Sequence, residues 1–316
     1  MEPNDQRAFN NYLLGAKLTE AEALLLLESL PDTEDPYDVP MKLIGFYSPK
    51  KHDSKANQKR YFDCILWLIR TVPGCTGYLA HTIEIAGCSC TPKQLSQARD
   101  IWYEHRQKYP EDATVYGNAG SFLIWKDFWL GERCLNSAME LDPTNELWPA
   151  RLAVHYYSEF GTCLPSYKEL YAKLAVKMCK LSLKMGSHAP WIDLIYGAEC
   201  ALFLEDFEQV SEFCDQLSAF KEPVFEQWAN SYLGLIDIRK GNIADAVRKL
   251  TIMKKGYQFY PVIQLAYELL DDEQDQAVIA FINKCERKVK AKTRNLWIEQ
   301  IERGIRPDFS QYCHGS

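Results

Sequence analysis

Apolar positions recur along this chain at helical spacing, and turn signals rather than strand-like alternation interrupt them. The clearest stretch is Asp112–Pro143. It reads as two short amphipathic helices, about Thr114–Ile124 and about Leu130–Glu140, joined by a tight turn and closed by a proline. On the N-terminal side, residues 1–31 predict two helices. In the second, Thr19 is placed to cap the helix and Glu22, three residues on, to complete a capping box. The segment PDTEDPYDVP (31–40) holds three prolines and four acids, which predicts a loop and a first boundary. After it, MKLIGFY predicts a short helix or extended segment, SPKKHDSKANQKR a polar, basic connector, and YFDCILWLIR (61–70) a buried helix. The stretch 71–92 has glycines at 74, 77 and 87 and prolines at 73 and 92. It breaks the helical pattern and predicts a Gly- and Cys-containing loop with a short helix inside.

From Pro92 the pattern repeats. With Pro143 as the closing proline, Ala119 takes a small position and Phe122 an aromatic one in the first helix of a pair. Gly131, Leu135 and Ala138 then take the packing positions of the second. One period earlier, Pro110 closes a helix carrying Ala98 and Trp102, with His105 where a second alanine is expected. Leu233 and Gly234, with Ala246, Leu250 and the turn Gly241-Asn242, form another partial copy. Looser pairs are ELWPARLAVHYY with YAKLAVKMCKLSLKM, separated by an extra loop FGTCLPS, and PWIDLIYGAECALF with FEQVSEFCDQL. Past residue 256 the period is lost, and three terminal helices are expected before a helix stop at Gly304.

The physical content of this pattern is close helix approach: a small residue on one helix makes room for a bulky one from its neighbour. A single pair cannot bury its apolar face alone, so pairs stack. These residues resemble the tetratricopeptide-repeat family, whose period is about 34 residues. The resemblance covers roughly residues 92–255. It implies an all-α chain of antiparallel helix pairs stacked as a right-handed superhelix. A less regular helical region (1–91, with the loop at 71–92) would precede the repeats, and capping helices (256–316) would follow them. It also implies a concave face, lined mainly by first helices, that holds an extended peptide.

Composition agrees with a folded protein: hydrophobic residues make up 47% and charged residues 25%. With 36 basic and 43 acidic residues the formal charge is −7, so a general nucleic-acid binder is not expected. The basic run Lys284–Arg294 would offer phosphates a patch, and a solvated helix face explains it as well. No apolar run reaches the ~18–20 residues of a membrane span. The opening stretch lacks the basic end and apolar core of an export signal, which leads us to expect a cytoplasmic protein with reduced thiols. Most of the 11 cysteines, such as Cys134, Cys179, Cys200 and Cys214, fall at apolar helical positions where a thiol is a small hydrophobe.

Candidate chemistry is sparse. Cys75, His81, Cys88 and Cys90 are of zinc-ligating type, but their C-x5-H-x6-C-x-C spacing matches no standard finger, so ordinary thiols outweigh a metal site. A cysteine nucleophile assisted by His81 would also need a base in reach and an oxyanion site, neither of which the sequence supplies. Phosphate-binding, dinucleotide and zinc-protease motifs are absent, and no cofactor or enzymatic activity is expected. On candidate first helices, Tyr116, Asn118, Gly120, Arg151, Tyr157 and Arg239 are suited to hold a peptide, although Asn118 also suits a buried backbone group and Tyr157 a core. The Lys and Asn set with which the family clamps a terminal carboxylate is not found. The leading expectation is a non-enzymatic scaffold that binds a protein or peptide. The alternatives are a ligand-sensing regulator of the same architecture, or a metal-binding or enzymatic protein using the 75–90 segment.

Overall fold

The computed structural model describes residues 2–252, 261–285 and 289–309. Among these there is no strand; the chain is all-α, and consecutive helices pack on one another. It divides into two units at Leu152/Ala153.

The first unit holds α1 (Pro3–Gly15), α2 (Glu20–Ser29), α3 (Val39–Tyr47), α4 (Lys55–Thr71), α5 (Gly77–Ser89), α6 (Pro92–Lys108), α7 (Ala113–Leu123), α8 (Phe128–Leu141) and the start of α9 (Leu147–Thr162). Its helix starts are written locally. Thr19 and Thr91 form capping boxes with Glu22 and Gln94. Asp112 accepts from the Thr114 and Val115 amides, and Ser54 from Asn57. The α7–α8 pair is built as its spacing predicts. Ala119, Phe122, Leu135 and Ala138 are fully buried. A Cβ on Gly131 would lie 2.4 Å from the Ile124 Cα, and one on Gly120 2.7 Å from Leu135. Small residues therefore set the distance between the two helices.

Four expectations differ from what is observed here. The 71–92 segment is not mainly a loop: 13 of its residues form α5, which packs on α1, α4 and α7. Its glycines mark contacts rather than a coil, since a Cβ on Gly87 would meet the Phe122 carbonyl oxygen at 2.1 Å. The connector SPKKHDSKANQKR ends at Ser54, where the cap starts α4, so its second half is helical. FGTCLPS is not an extra loop either; α9 runs through Thr162 and Pro165 opens the next helix. The acidic segment 31–40 turns the chain without separating domains. Asn11 donates to the Tyr37 carbonyl at 2.6 Å and Arg7 pairs with Asp35, while α1 crosses α3 closely, with Gly15 and Gly45 at the crossing.

The second unit holds the rest of α9, then α10 (Pro165–Lys184), α11 (Pro190–Phe203), α12 (Phe207–Ser218), α13 (Pro223–Arg239), α14 (Ile243–Thr251), α15 (Val262–Leu269), α16 (Asp275–Lys284) and α17 (Ala291–Glu302). Prolines at the first turns of α10, α11 and α13 open these helices where a missing N–H costs nothing. Each helix from α11 to α16 packs on its successor, and α11 also meets α13, α13 meets α15, and α14 meets α16. Glycine again admits the neighbour: a Cβ on Gly197 would lie 2.7 Å from the Phe213 ring, and one on Gly234 2.7 Å from Leu265. The three terminal helices expected past 256 are α15, α16 and α17. The first two continue the packing order of the pairs before them, and the expected boundary at 255/256 lies outside the described residues.

Candidate functional site

In the first unit, side chains from α5, α7 and the start of α9 converge. The indole of Trp148 lies against Gly117, where a Cβ would come within 2.2 Å of the ring. Trp148 is therefore fixed in position, with 2% of its surface exposed. One turn on, the Arg151 guanidinium sits 5.4 Å from that ring and donates to Glu84 on α5 at 3.2 Å. His81 approaches the same carboxylate, with Nδ1 at 3.8 Å. Burial alone would push the Glu84 carboxyl up, but His81 and the Arg151 charge together hold it below the ordinary carboxylate value. The result is a charged bridge between two helices that leaves part of Glu84 and most of His81 open to solvent.

Asn118 is buried and engaged with backbone. Its amide donates to the carbonyls of Pro73 at 2.9 Å and Cys75 at 2.7 Å, so it fastens the entry to α5. Tyr116 is half-buried on α7, one turn before Gly120.

The four Cys and His residues of 75–90 do not form a ligand set. Among the described residues, no three His, Cys, Asp or Glu side chains are grouped to hold a metal ion. Cys75 is largely buried, which pushes its thiol up to about 12. Cys90 is turned onto the Gly87 carbonyl at 3.2 Å. Burial, and secondarily the nearby Glu84, raises Cys88 as well. Thiols so protonated are poor nucleophiles and poor metal ligands.

In the second unit, Tyr157 on α9 stacks on Tyr196 of α11, with ring centres 3.9 Å apart and planes 9° from parallel. Its hydroxyl donates to Glu199 at 2.6 Å. Burial first, then the Glu199 charge, raises the Tyr157 phenol, so it stays a donor. Further along, Arg239 on α13 grips Glu268 on α15 through both nitrogens of its fork, one at 3.1 Å. These contacts each tie one helix to the helix two further on. The ends of the Lys284–Arg294 run are engaged with backbone: Lys284 reaches the Thr251 carbonyl and Arg294 the Val289 carbonyl. Residues 286–288 of that run lie outside the described set.

Two features escaped the sequence. An open cleft of about 720 Å³ lies between α10 and the α11–α12 turn, lined by Pro165, Glu169, Lys173, Val176, Phe203 and Glu205. It joins residues some 30 positions apart, and no spacing rule marks them. The second is Asp193, 2% exposed, which accepts from the Ser182 hydroxyl at 2.8 Å. An aspartate four residues into an apolar helix was its only signal. No protein-family model matches the chain, and no curated protein matches it.

Proposed function

We propose that the chain is a non-enzymatic scaffold that binds a protein or peptide, with its helix pairs stacked as a tetratricopeptide-like right-handed superhelix. In this reading α7 is the first helix of a pair in the first unit, α11, α13 and α15 are first helices in the second, and a partner lies against the first helices within each unit. The observation that carries it is the packing order of the second unit, where α11, α13 and α15 meet in series while each also packs on the helix between. That order is what a quasi-one-dimensional stack of pairs requires. The side chains that join helices not adjacent in sequence add support. Arg151, Tyr157 and Arg239, held by Glu84, Glu199 and Glu268, present fixed polar and aromatic groups of the kind that hold extended peptides. Tyr116 is the fourth proposed contact.

The test uses the full chain as bait in an extract of its native host, followed by affinity measurement with the purified partner. Arg151→Gln, Tyr157→Phe and Arg239→Gln, each checked for retained helicity, are expected to weaken binding about tenfold each if the partner uses this face. Unchanged affinity in all three variants would sink the assignment of the face.

A further inference from the structure

We propose that the turn between α3 and α4 is a docking surface for an acidic protein segment. Residues 48–60 hold Lys50, Lys51, Lys55, Lys59 and Arg60 against Asp53 alone, in a chain whose formal charge is −7. Local charge thus runs against the charge of the whole. Two of these cations are already spoken for: Lys59 pairs with Asp63 at 2.6 Å and Arg60 with Glu20 at 3.1 Å. Among the described residues, Lys50, Lys51 and Lys55 stand in no ion pair, and the exposed His52 lies between them.

Two of the unpaired ammonium groups are held in place. Lys50 Nζ lies 3.3 Å from the centre of the Phe46 ring, and Lys51 Nζ 5.1 Å from that of Tyr61. Phe46 and Tyr61 are 1% and 3% exposed, so the rings are rigid parts of the core against which the lysine stems rest. A lysine fixed in this way loses less freedom when a carboxylate arrives than one waving in solvent.

The size and make-up of the patch select the partner. A duplex that releases counterions in earnest meets about 6–10 basic contacts, and a single strand wants exposed aromatic faces on which bases stack. This turn offers three unpaired lysines and keeps its rings buried. Lysine also lacks the fork with which arginine grips phosphate. A short run of Asp and Glu side chains matches the number, spacing and point-like character of these cations. The surface lies on α3 and α4 and does not rest on the proposed peptide-binding face.

The experiment titrates the full chain into fluorescein-labelled hexaglutamate amide and reads anisotropy at about 50 mM and about 300 mM salt, either side of the ionic strength where screening reaches about 10 Å. Binding is expected at the lower salt and should weaken at least about tenfold at the higher. Lys50→Glu/Lys51→Glu/Lys55→Glu should weaken it by a similar factor, and the milder triple change to Gln should weaken it with the far-UV spectrum intact. A charge-matched control on exposed lysines, Lys93→Glu/Lys108→Glu/Lys184→Glu, should keep it. The proposal is overturned if the wild type does not bind at low salt, if the control loses as much as the test variant, or if ten-residue oligothymidine binds more tightly than the peptide.

Discussion

Replacing Gly131 by alanine adds one methyl group where α8 crosses α7. That methyl would sit 2.4 Å from the Ile124 Cα, about 1 Å short of the 3.4 Å at which ordinary contact begins. The obstacle is backbone, so no side chain can rotate out of the way, and the helices must part. Overpacking of this kind costs about 1–3 kcal/mol. Against it stands the better helix propensity of alanine, about 1 kcal/mol in a helix interior. Because a backbone clash belongs at the upper end of the range, the net effect should be a loss of about 1–2 kcal/mol. Gly161 supplies the internal control. It lies in α9, has no heavy atom within 4 Å of a would-be Cβ, and does not adopt a positive φ. The same change there should stabilise by about 0.5–1 kcal/mol. Urea unfolding followed by far-UV circular dichroism would read both, with opposite shifts in midpoint. A Gly131→Ala variant as stable as the wild type would show that small residues do not set the spacing of these helices.

Three further outcomes follow from single residues. Burial lowers His155 to about 4 from an ordinary 6.5, so the folded state holds it neutral while the unfolded chain protonates. The associated stability is complete above pH 6.5 and falls as pH drops toward 4, by about 3 kcal/mol in all; urea midpoints across that window should fall less for His155→Leu. Asp193 is raised, mainly by burial and against the pull of the Ser187 and Ser182 hydroxyls. The folded state therefore binds its proton more readily than the unfolded one. Asp193→Asn, which still accepts from Ser182, should raise the urea midpoint at neutral pH, and the gain should shrink in acid; a lower midpoint at pH 7 would count against a desolvation cost. Thr91→Ala removes one half of the α6 capping box and should cost about 0.5–2 kcal/mol, measured as a fall in thermal midpoint.

Where local chemistry decides, the sequence was a good guide. The Thr19 cap, the α7–α8 pair and its buried small and large positions are set by neighbours within one turn or one hairpin, and they form as their spacing requires. Glycine was the misleading letter. In 71–92 it looked like coil, yet Gly87 is the place where α5 comes against the Phe122 carbonyl, and only the partner helix reveals that. Gly161 in FGTCLPS was misleading for the opposite reason: nothing surrounds it, so α9 simply runs through. The candidate contacts were legible as residue types but not as pairs. Arg151 finds Glu84 67 positions away and Tyr157 finds Glu199 42 away, and no periodicity links them. Asn118 was legible as polar on an apolar face, while its two carbonyl acceptors come from a turn more than 40 residues earlier.

The thiols have a practical consequence. Cys64, Cys134, Cys179, Cys200 and Cys214 are buried, one in each of α4, α8, α10, α11 and α12, and Cys88 is exposed. An alkylating reagent would mark Cys88 first, at a rate held down by its raised pKa, and would reach each of the others only during excursions that lift its helix away from its neighbours. Rates of labelling, residue by residue, would thus chart how readily each layer of the molecule comes loose, with no label engineered in.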